Sequence, residues 1–439
     1  MTLSTQPYKG ARDFYPEDKR TQKYMFNVLR RVVESFGYQE YDAPIIEPVE
    51  IYASKTSEEI VNEQAFTFTD RGGRSVMLRP EMTPTVSRMV AAKRQELAYP
   101  LRWYSIPSLW RYERPQAGRL REHWQLNVDL FGVPGIEADH EIIQITDRIM
   151  KTFGAKTESY TIRINSRQLL NWFLLDSYQL DQSQIQPITR LIDKKDKISE
   201  KEFREAASVI LTPGQLSAGV LDNMQHLLKV KTLGELPLVV QQHPAAKQLQ
   251  RLLTILIASG VQSAAFDPSL MRGFDYYTDI VFEVYDNQPD NNRSMFGGGR
   301  YDALVGAFGV EPVPTVGFGM GDVTLQNFLE GHKLMPSFET ETDAAVILIG
   351  DVYETAQKTL NDLRDEGLRL AVDSTGRKVD AQIRSAVKAG LPYVIFLGEH
   401  ELSSQRFKLK DLRNGEEKEL SLERLISTLA ARHKHQVGL

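Results

Sequence analysis

The chain has 439 residues, of which 41% are hydrophobic and 25% charged, with a net charge of −5 and a pI of about 6.0. That length exceeds one ordinary core and calls for two or three domains, and no apolar run approaches a membrane span. Cysteine is absent, which excludes disulfides, thiolate zinc sites and cysteine nucleophiles, while the mildly acidic balance leaves any nucleic-acid partner to local basic patches. The first twenty residues, MTLSTQPYKGARDFYPEDKR, lack the apolar core of a secretory signal, and the absence of cysteine fits a cytoplasmic protein.

Residues 8 to 18, YKGARDFYPED, read as an irregular lead-in. A helix is predicted from about Thr21 to Phe36, with Met25, Leu29, Val32, Val33 and Phe36 at helical spacing and Gly37 as its stop. A short strand follows around Tyr38 to Asp42. The apolar side of this region suits either a core or a subunit interface. Thr56-Ser57-Glu58-Glu59 has the form of a capping box. Ala65 to Asp70 and Ser75 to Leu78 read as a hairpin around Arg71-Gly72-Gly73-Arg74. Next comes LRPEMTPTVSRMV, where Thr83 is expected to cap a helix with Pro84 at its first position. Glu81 falls at the junction before that helix, where a carboxylate can point into a cleft. The plainer reading of Glu81 is an exposed loop acid.

Arg102 to Ile106 is a further strand. Leu109 to Gly132, LWRYERPQAGRLREHWQLNVDLFG, then reads as strand, basic loop, strand. The second strand alternates strictly, with Trp124, Leu126, Val128 and Leu130 on one face and His123, Gln125, Asn127 and Asp129 on the other. On the incoming strand Arg111 and Glu113 share a face. Arg114, Arg119 and Arg121 lie between, with Pro115 and Gly118 shaping the turn. Such a hairpin suits a phosphate-bearing substrate and a polar small molecule, or is simply a solvated amphipathic ribbon.

Glu137 to Phe153 is predicted as a helix and Tyr160 to Ile164 as a strand. From about Leu169 to Gly260 the pattern is helical and polar, an insertion within a sheet domain, and its run Ile192-Asp193-Lys194-Lys195-Asp196-Lys197 suits a solvated helix face. The sheet pattern returns at Phe266. LMRGFDYYTDIVFEVYD sets Arg272, Asp275, Tyr276 and Tyr277 beside a strand, as a polar pocket wall or as core tyrosines with satisfied hydroxyls. Gly297-Gly298-Gly299-Arg300 is not a P-loop, since no Lys-Ser/Thr follows. In VGFGMGDVTLQNFL, Gly317, Gly319 and Gly321 alternate and leave one strand face bare, so that a flat ring can lie on backbone. Asp322 is expected to cap the next helix. Gly331 to Thr342 breaks both periods and reads as a linker. Beyond it strands at 344–349, 368–372, 393–397 and 407–412 alternate with helices at about 353–366, 379–389 and 422–432, a small α/β domain. Its Lys378, Lys388, Lys408, Lys410 and Arg413 offer either a nucleic-acid face or a solvated surface. The eight histidines show no HExxH pairing, so no zinc site is indicated, and no metal-ligating residues are assigned.

Together these pieces resemble the histidyl-tRNA synthetase family of class II aminoacyl-tRNA synthetases, in its bacterial type, over nearly the whole chain. KGARDFYPED is similar to the family's N-terminal signature, the helix with YDAPIIEP to motif 1, and LWRYERPQAGRLREHWQLNVDLFG to motif 2. LRPEMT and LMRGFDYYT resemble the two histidine signatures, and GGGRYDALVGAFG with VGFGMGD the approach to motif 3. FLGEHEL and KLKDLRNGEE resemble the anticodon-binding domain. The resemblance implies an α+β catalytic domain with a mixed, mainly antiparallel sheet, a helical insertion and a C-terminal α/β anticodon-binding domain. The expected spans are 1–168 and 262–330 for the catalytic domain, 169–261 for the insertion, 331–342 for the linker and 343–439 for the last domain.

It also implies an activity and its residues. L-Histidine and ATP, with Mg2+, would give histidyl-adenylate, and the aminoacyl group would pass to the 3' end of tRNA(His). Arg111 and Arg272 would hold the α-phosphate from two sides and so be catalytic. Glu113, Arg119, His123, Gly319 and Gly321 would place ATP. Glu81, Thr83, Gln125, Asp129, Arg272, Tyr276 and Tyr277 would hold histidine. Gln116 and Arg121 would face the tRNA acceptor end, and motif 1 would build a homodimer. Three departures stand out. His123 replaces the phenylalanine that stacks on adenine, Val323-Thr324 replaces the Glu-Arg of motif 3, and Asp129 replaces a glutamate. The alternatives are a non-aminoacylating paralogue that regulates ATP phosphoribosyltransferase, and a catalytically dead tRNA-binding module. The retained histidine and α-phosphate residues and the full C-terminal domain speak against the first, and the survival of Arg111, Gln125 and Arg272 together against the second.

Overall fold

The computed structural model describes residues 3–53, 64–114, 118–195, 198–271, 276–289 and 294–436. The proposed capping box at 56–59, Arg272 and Gln116 lie outside these residues. The chain divides into two compact units, Met1–Met335 and Pro336–Leu439.

The first unit opens with α1 (Pro16–Ser35), which starts five residues before its apolar stripe suggests. Proline at the first helical position has the right φ and no N–H to satisfy, and the Asp18 carboxylate accepts the Tyr15 N–H at 3.1 Å. Met25, Val28, Leu29, Val32 and Val33 form its buried face. Short pieces follow: β1 (Gln39–Glu40), β2 (Ile46–Pro48), α2 (Glu50–Ala53), β3 (Phe66–Thr69) and β4 (Ser75–Leu78). β2, β4 and β3 form a small antiparallel sheet. In the helix α3 (Thr83–Ala92) Thr83 is not the cap. Met82 holds that place already in helical torsions, and Thr83 and Pro84 are the first two helical residues.

The main sheet comes from β5 (Leu101–Ser105), β6 (Ser108–Trp110), β7 (Glu122–Phe131), β8 (Tyr160–Ser166), β9 (Ala264–Phe266), β10 (Ile280–Asp286), β11 (Ser294–Arg300) and β12 (Thr315–Gly321). Its strand order is β1-β5-β7-β12-β11-β10-β8-β9, with β6 on β7. The β5, β7, β12, β11, β10 and β8 pairings are all antiparallel, and β1 and β9 add parallel at the edges. One face carries the core. Leu126, Val128 and Leu130 of β7 and Val316, Phe318 and Met320 of β12 pack with α1 and with Ile142, Ile145 and Ile149 of α4 (Ile136–Thr152). The opposite face is left for chemistry.

Between β8 and β9 the chain runs through α5 (Arg167–Trp172), α6 (Gln182–Asp193), α7 (Glu200–Ile210), α8 (Pro213–Ser217), α9 (Val220–Leu227), α10 (Leu238–Gln241) and α11 (Pro244–Ala258). Capping boxes open α6, α7 and α8, and leucine-rich faces continue the main core. α12 (Asp322–Gly331) closes the unit. No helix of the described residues is long and apolar enough to cross a membrane.

The second unit is a five-stranded sheet of β13 (Ala344–Ile349), β14 (Leu370–Asp373), β15 (Tyr393–Gly398), β16 (Arg406–Asp411) and β17 (Glu417–Ser421), in the order β14-β13-β15-β16-β17. The first three are parallel and the last two antiparallel. α13 (Tyr353–Asp365) and α16 (Leu422–Gln436) belong to the core on one face and α14 (Val379–Lys388) to that on the other, with α15 (Glu399–Ser404) following β15. β17 carries no apolar alternation, so its sequence, EKELS, gives no strand signal. It is held as an edge by charge. Glu417 takes Lys410 at 3.1 Å and Lys408 at 3.2 Å, and Glu419 takes Arg406 at 2.6 Å. Arg413 is engaged by Asp411 and Tyr393. Three of the five cations suggested for a basic face are thus paired within the unit.

Candidate active site

The site is built on the face of β7 opposite the main core and on the glycines beside it. In register, Asp129 lies opposite Gly317, Asn127 opposite Gly319 and Gln125 opposite Gly321. Gly319 and Gly317 in turn face Gly297 and Gly299 of β11. The bare floor expected from the alternation is real, but side chains of β7 and a tyrosine lie across part of it. A Cβ on Gly317 would run into the Asp129 carboxylate, and one on Gly319 would come within 2.9 Å of the Gln125 amide. A Cβ on Gly299 would meet the Tyr277 ring at 2.9 Å. At Gly321 the nearest atom is Thr324 Oγ1 at 3.7 Å, so backbone there stays open to an ordinary contact.

Asp129 is 4% exposed and accepts the Tyr301 hydroxyl on Oδ1, while Oδ2 has no partner within the protein. Burial pushes its carboxyl up to about 7, against the pull of the Tyr301 hydrogen bond. The sign of the linkage follows. Relative to an ordinary aspartate near 3.9, this position stabilises the fold fully below about pH 4 and loses that contribution as pH rises through about 7. A charged Asp129 is therefore a cost that a bound hydrogen-bond donor relieves. Tyr276, Tyr277 and Tyr301 form an aromatic wall, with ring centroids 4.8 Å apart for the first pair and 5.7 Å for Tyr276 and Tyr301.

Glu81 is buried, not the exposed loop acid of the plainer reading. Its Oε2 accepts the Tyr276 hydroxyl at 3.2 Å, and its backbone carbonyl accepts Tyr52 at 3.1 Å. Arg111 reaches the same loop, donating its Nε–H to the Pro80 carbonyl at 2.9 Å. Thr83, half-buried, follows two residues after Glu81 at the start of α3. Arg111 also stands 3.9 Å from Glu113, whose other oxygen is 3.3 Å from the more exposed Arg119. Histidine-site and phosphate-site candidates thus converge at β7 and the 80–83 loop.

The strand carrying Arg111 and Glu113 is shorter than predicted, ending at Trp110. The lead-in explains this. Gly10 O accepts the N–H groups of Arg121 and Glu122 (2.9 and 3.1 Å), and Tyr112 N–H turns to Gln64 O, so the ladder beyond Arg111 is diverted. Arg121 is drawn into the same structure. Its guanidinium lies 3.9 Å over Tyr112 and donates to the Tyr8 hydroxyl at 2.8 Å.

His123 is held down to about 3 by burial and by the Arg111 and Arg12 cations, so its ring is neutral near pH 7. Asp322 does not cap α12. Gly321 precedes the helix, and the buried Asp322 carboxylate instead joins Trp124 N–H at 3.0 Å to Arg12 at 2.7 Å. Sequence reasoning missed Tyr301, Arg12 and this role of Asp322. Tyr301 directly follows the glycine strand, which is the one local signal it offers. Among the described residues no three histidine or carboxylate side chains gather as a metal site.

A family model described as histidyl-tRNA synthetase matches residues 10–323, and one described as anticodon binding domain matches residues 343–432. The chain is 42% identical over 413 residues to the histidine–tRNA ligase of Leptospira biflexa serovar Patoc, covering 93% of this chain and 94% of that protein. It is 37% identical over 415 residues to the histidine–tRNA ligase of Haloarcula marismortui, covering 93% and 94%. The crystal structure of histidyl-tRNA synthetase from Nostoc sp. PCC 7120 superposes with a TM-score of 0.81 at 23% identity, covering 98% of this chain and all of that one. A structure from Bacillus halodurans C, described as an ATP phosphoribosyltransferase regulatory subunit/histidyl-tRNA synthetase, reaches 0.74 at 23%, covering 91% and 99%. At such identities both likenesses speak for the fold alone.

Proposed function

The chain belongs to the histidyl-tRNA synthetase family, and from that premise we propose how its residues divide the reaction. It is a histidine–tRNA ligase, a class II enzyme that activates histidine with ATP and charges tRNA with it. The regulatory paralogue gains no support over this reading. The chain carries the matched anticodon-binding domain, and both curated relatives named above are ligases.

In the proposed mechanism histidine lies over the glycine floor. Asp129 and the tyrosines take its ring, and Glu81, Thr83 and Gln125 its ammonium group. Its carboxylate attacks the α-phosphorus of ATP, forming the acyl–phosphate bond as pyrophosphate leaves. Negative charge on the α-phosphate rises in the transition state, and fixed cations there lower the barrier. Arg111 supplies one, and Arg272 the other. Glu113 and Arg119 hold ATP, which arrives with Mg2+ as part of the substrate. The neutral His123 ring and the open backbone at Gly321 flank adenine, with Arg12 supplying charge near His123. Gln116 and Arg121 would meet the acceptor end of tRNA(His). We assign catalysis and histidine binding to residues 1–168 and 262–330, anticodon binding to 343–439, and a supporting role to the helical insertion 169–261. Ile45, Ile46 and Phe68, exposed near the small sheet, support a homodimer through the motif 1 region, and the reading places the enzyme in the cytoplasm.

The observation that carries this reading is the convergence of Glu81, Tyr276, Asp129 and Tyr301 around one glycine floor, with Arg111 fixed to the loop bearing Glu81. Histidine-dependent ATP–pyrophosphate exchange, followed by tRNA charging, tests it. Absence of exchange would favour the regulator. Asp129→Ala is expected to raise the KM for histidine at least tenfold while leaving the KM for ATP nearly unchanged, because it removes one charged hydrogen-bond partner of a buried ring. Equal changes for both substrates would refute that role. A chain ending at Glu341 is expected to keep the exchange reaction and lose most charging of full-length tRNA. Normal charging by that truncated enzyme would remove the anticodon assignment.

A further inference from the structure

Three buried side-chain oxygens on Asp129 and the neighbouring strands make no hydrogen bond of ordinary geometry within the protein. They are Asp129 Oδ2, Tyr41 OH and Ser105 Oγ. Trp103 of β5 is in register with Asp129, and Ser105 with Asn127, so Ser105 is a diagonal neighbour of Asp129 on the same sheet face. Tyr41 follows β1, bound through its N–H to Tyr104 O at 2.8 Å, and its ring lies 5.7 Å from that of Trp103. Its hydroxyl sits beside Ser105 and within the field of Asp129, and Tyr301 is close enough to feel it. Native interiors rarely keep such atoms unpaired, and one water held by three polar groups is the ordinary solution.

We propose that Tyr41 and Ser105 form a cradle that holds one water against the second oxygen of Asp129, making both of them positioning residues for recognition of the histidine ring. This rests on the reading of Asp129 as the ring's partner. An ionised carboxylate oxygen accepts two donors, so Oδ2 can take the water and still receive an imidazole N–H. Oδ1 is already fixed by Tyr301. With both oxygens anchored, the carboxylate has one orientation toward the site, and the added donor favours its ionised form in a place where burial disfavours it.

The test compares Tyr41→Phe, Ser105→Ala, the double variant and Asp129→Ala in full-length enzyme by pyrophosphate exchange, with thermal melts to confirm folding. Each single variant is expected to raise the KM for histidine about three- to tenfold, with kcat and the KM for ATP within about twofold. The double variant should be no worse than the weaker single, because either change alone releases the shared water, and such coupling appears as non-additivity. An unchanged histidine KM in both singles, or multiplicative losses shared with ATP, overturns the cradle. If Asp129→Ala raises the histidine KM while Tyr41→Phe and Ser105→Ala do not, the cradle alone fails. If Asp129→Ala has no effect on histidine, the reading of Asp129 fails and the cradle with it.

Discussion

Replacing Arg111 by alanine is expected to slow histidyl-adenylate formation by on the order of 10²-fold or more while leaving the fold intact. The side chain is 19% exposed, and its Nε–H is committed to Pro80 O, so the guanidinium is oriented before substrate arrives. Such a cation needs no reorganisation when charge develops on the α-phosphate, which is why its loss falls on the chemical step. Arg111→Lys should recover only part of the rate. A lysine keeps the charge, but it cannot hold the Pro80 carbonyl and present a planar fork at the same time. Pre-steady-state adenylate formation at saturating histidine and ATP measures the effect directly. A normal rate in Arg111→Ala would mean that the phosphate site lies elsewhere.

The largest expected effect on stability lies at a pair with no proposed role in the chemistry. Arg300 and Asp139 are 3% and 0% exposed and are joined by contacts of 2.5 to 3.3 Å. The same guanidinium donates to Val133 O at 3.2 Å, Gly135 O at 2.9 Å and Asp302 at 3.3 Å. It thereby ties the end of β11 to the turn before α4 and to that helix. Arg300→Met removes the charge that solvates Asp139 and strips both carbonyls of a donor. Breaking one side of a buried pair costs about 3–5 kcal/mol, and that loss is expected in urea unfolding of the catalytic unit. Replacing Asp139 by leucine in the same chain should recover part of it, since no charge is then stranded. A loss below about 1 kcal/mol for Arg300→Met would show that water reaches the pair.

How legible this was in the sequence depended on the range of the interactions. The alternation of β7 is local, so its buried and polar faces could be assigned from Leu126, Val128 and Leu130 against Gln125 and Asp129. The antiparallel fold and the α/β second unit followed from such periods together with the family motifs. The lead-in could not be read in this way. Gly10 completes the hydrogen bonding of Arg121 and Glu122 across more than a hundred residues, and nothing around Gly10 announces it. The start of α12 likewise looks like a cap locally, but Asp322 is recruited by Arg12 from 310 residues away. Ser105 lies in no motif and Tyr41 only opens the YDAPIIEP stretch, and it is the pairing of β1 with β5 and of β5 with β7 that brings them beside Asp129. β17 was invisible because its partners are charges on β16.

The glycine floor limits how this enzyme's specificity could be redesigned. Pockets are usually enlarged by trimming a side chain, and Gly297, Gly299, Gly317 and Gly319 have none to trim. They also leave no room to add one where β7 and Tyr277 lie closest, since even a methyl group at Gly317 or Gly299 would strike Asp129 or Tyr277. The depth of the site is therefore set by backbone. Acceptance of a bulkier histidine analogue would have to come from the walls, at Tyr276, Tyr301 or Asp129, and these are the groups that recognise the ring in the reading given above. Breadth of substrate and strength of recognition are thus coupled at the same few side chains, and a variant selected for a larger amino acid should lose affinity for histidine as it gains the new one.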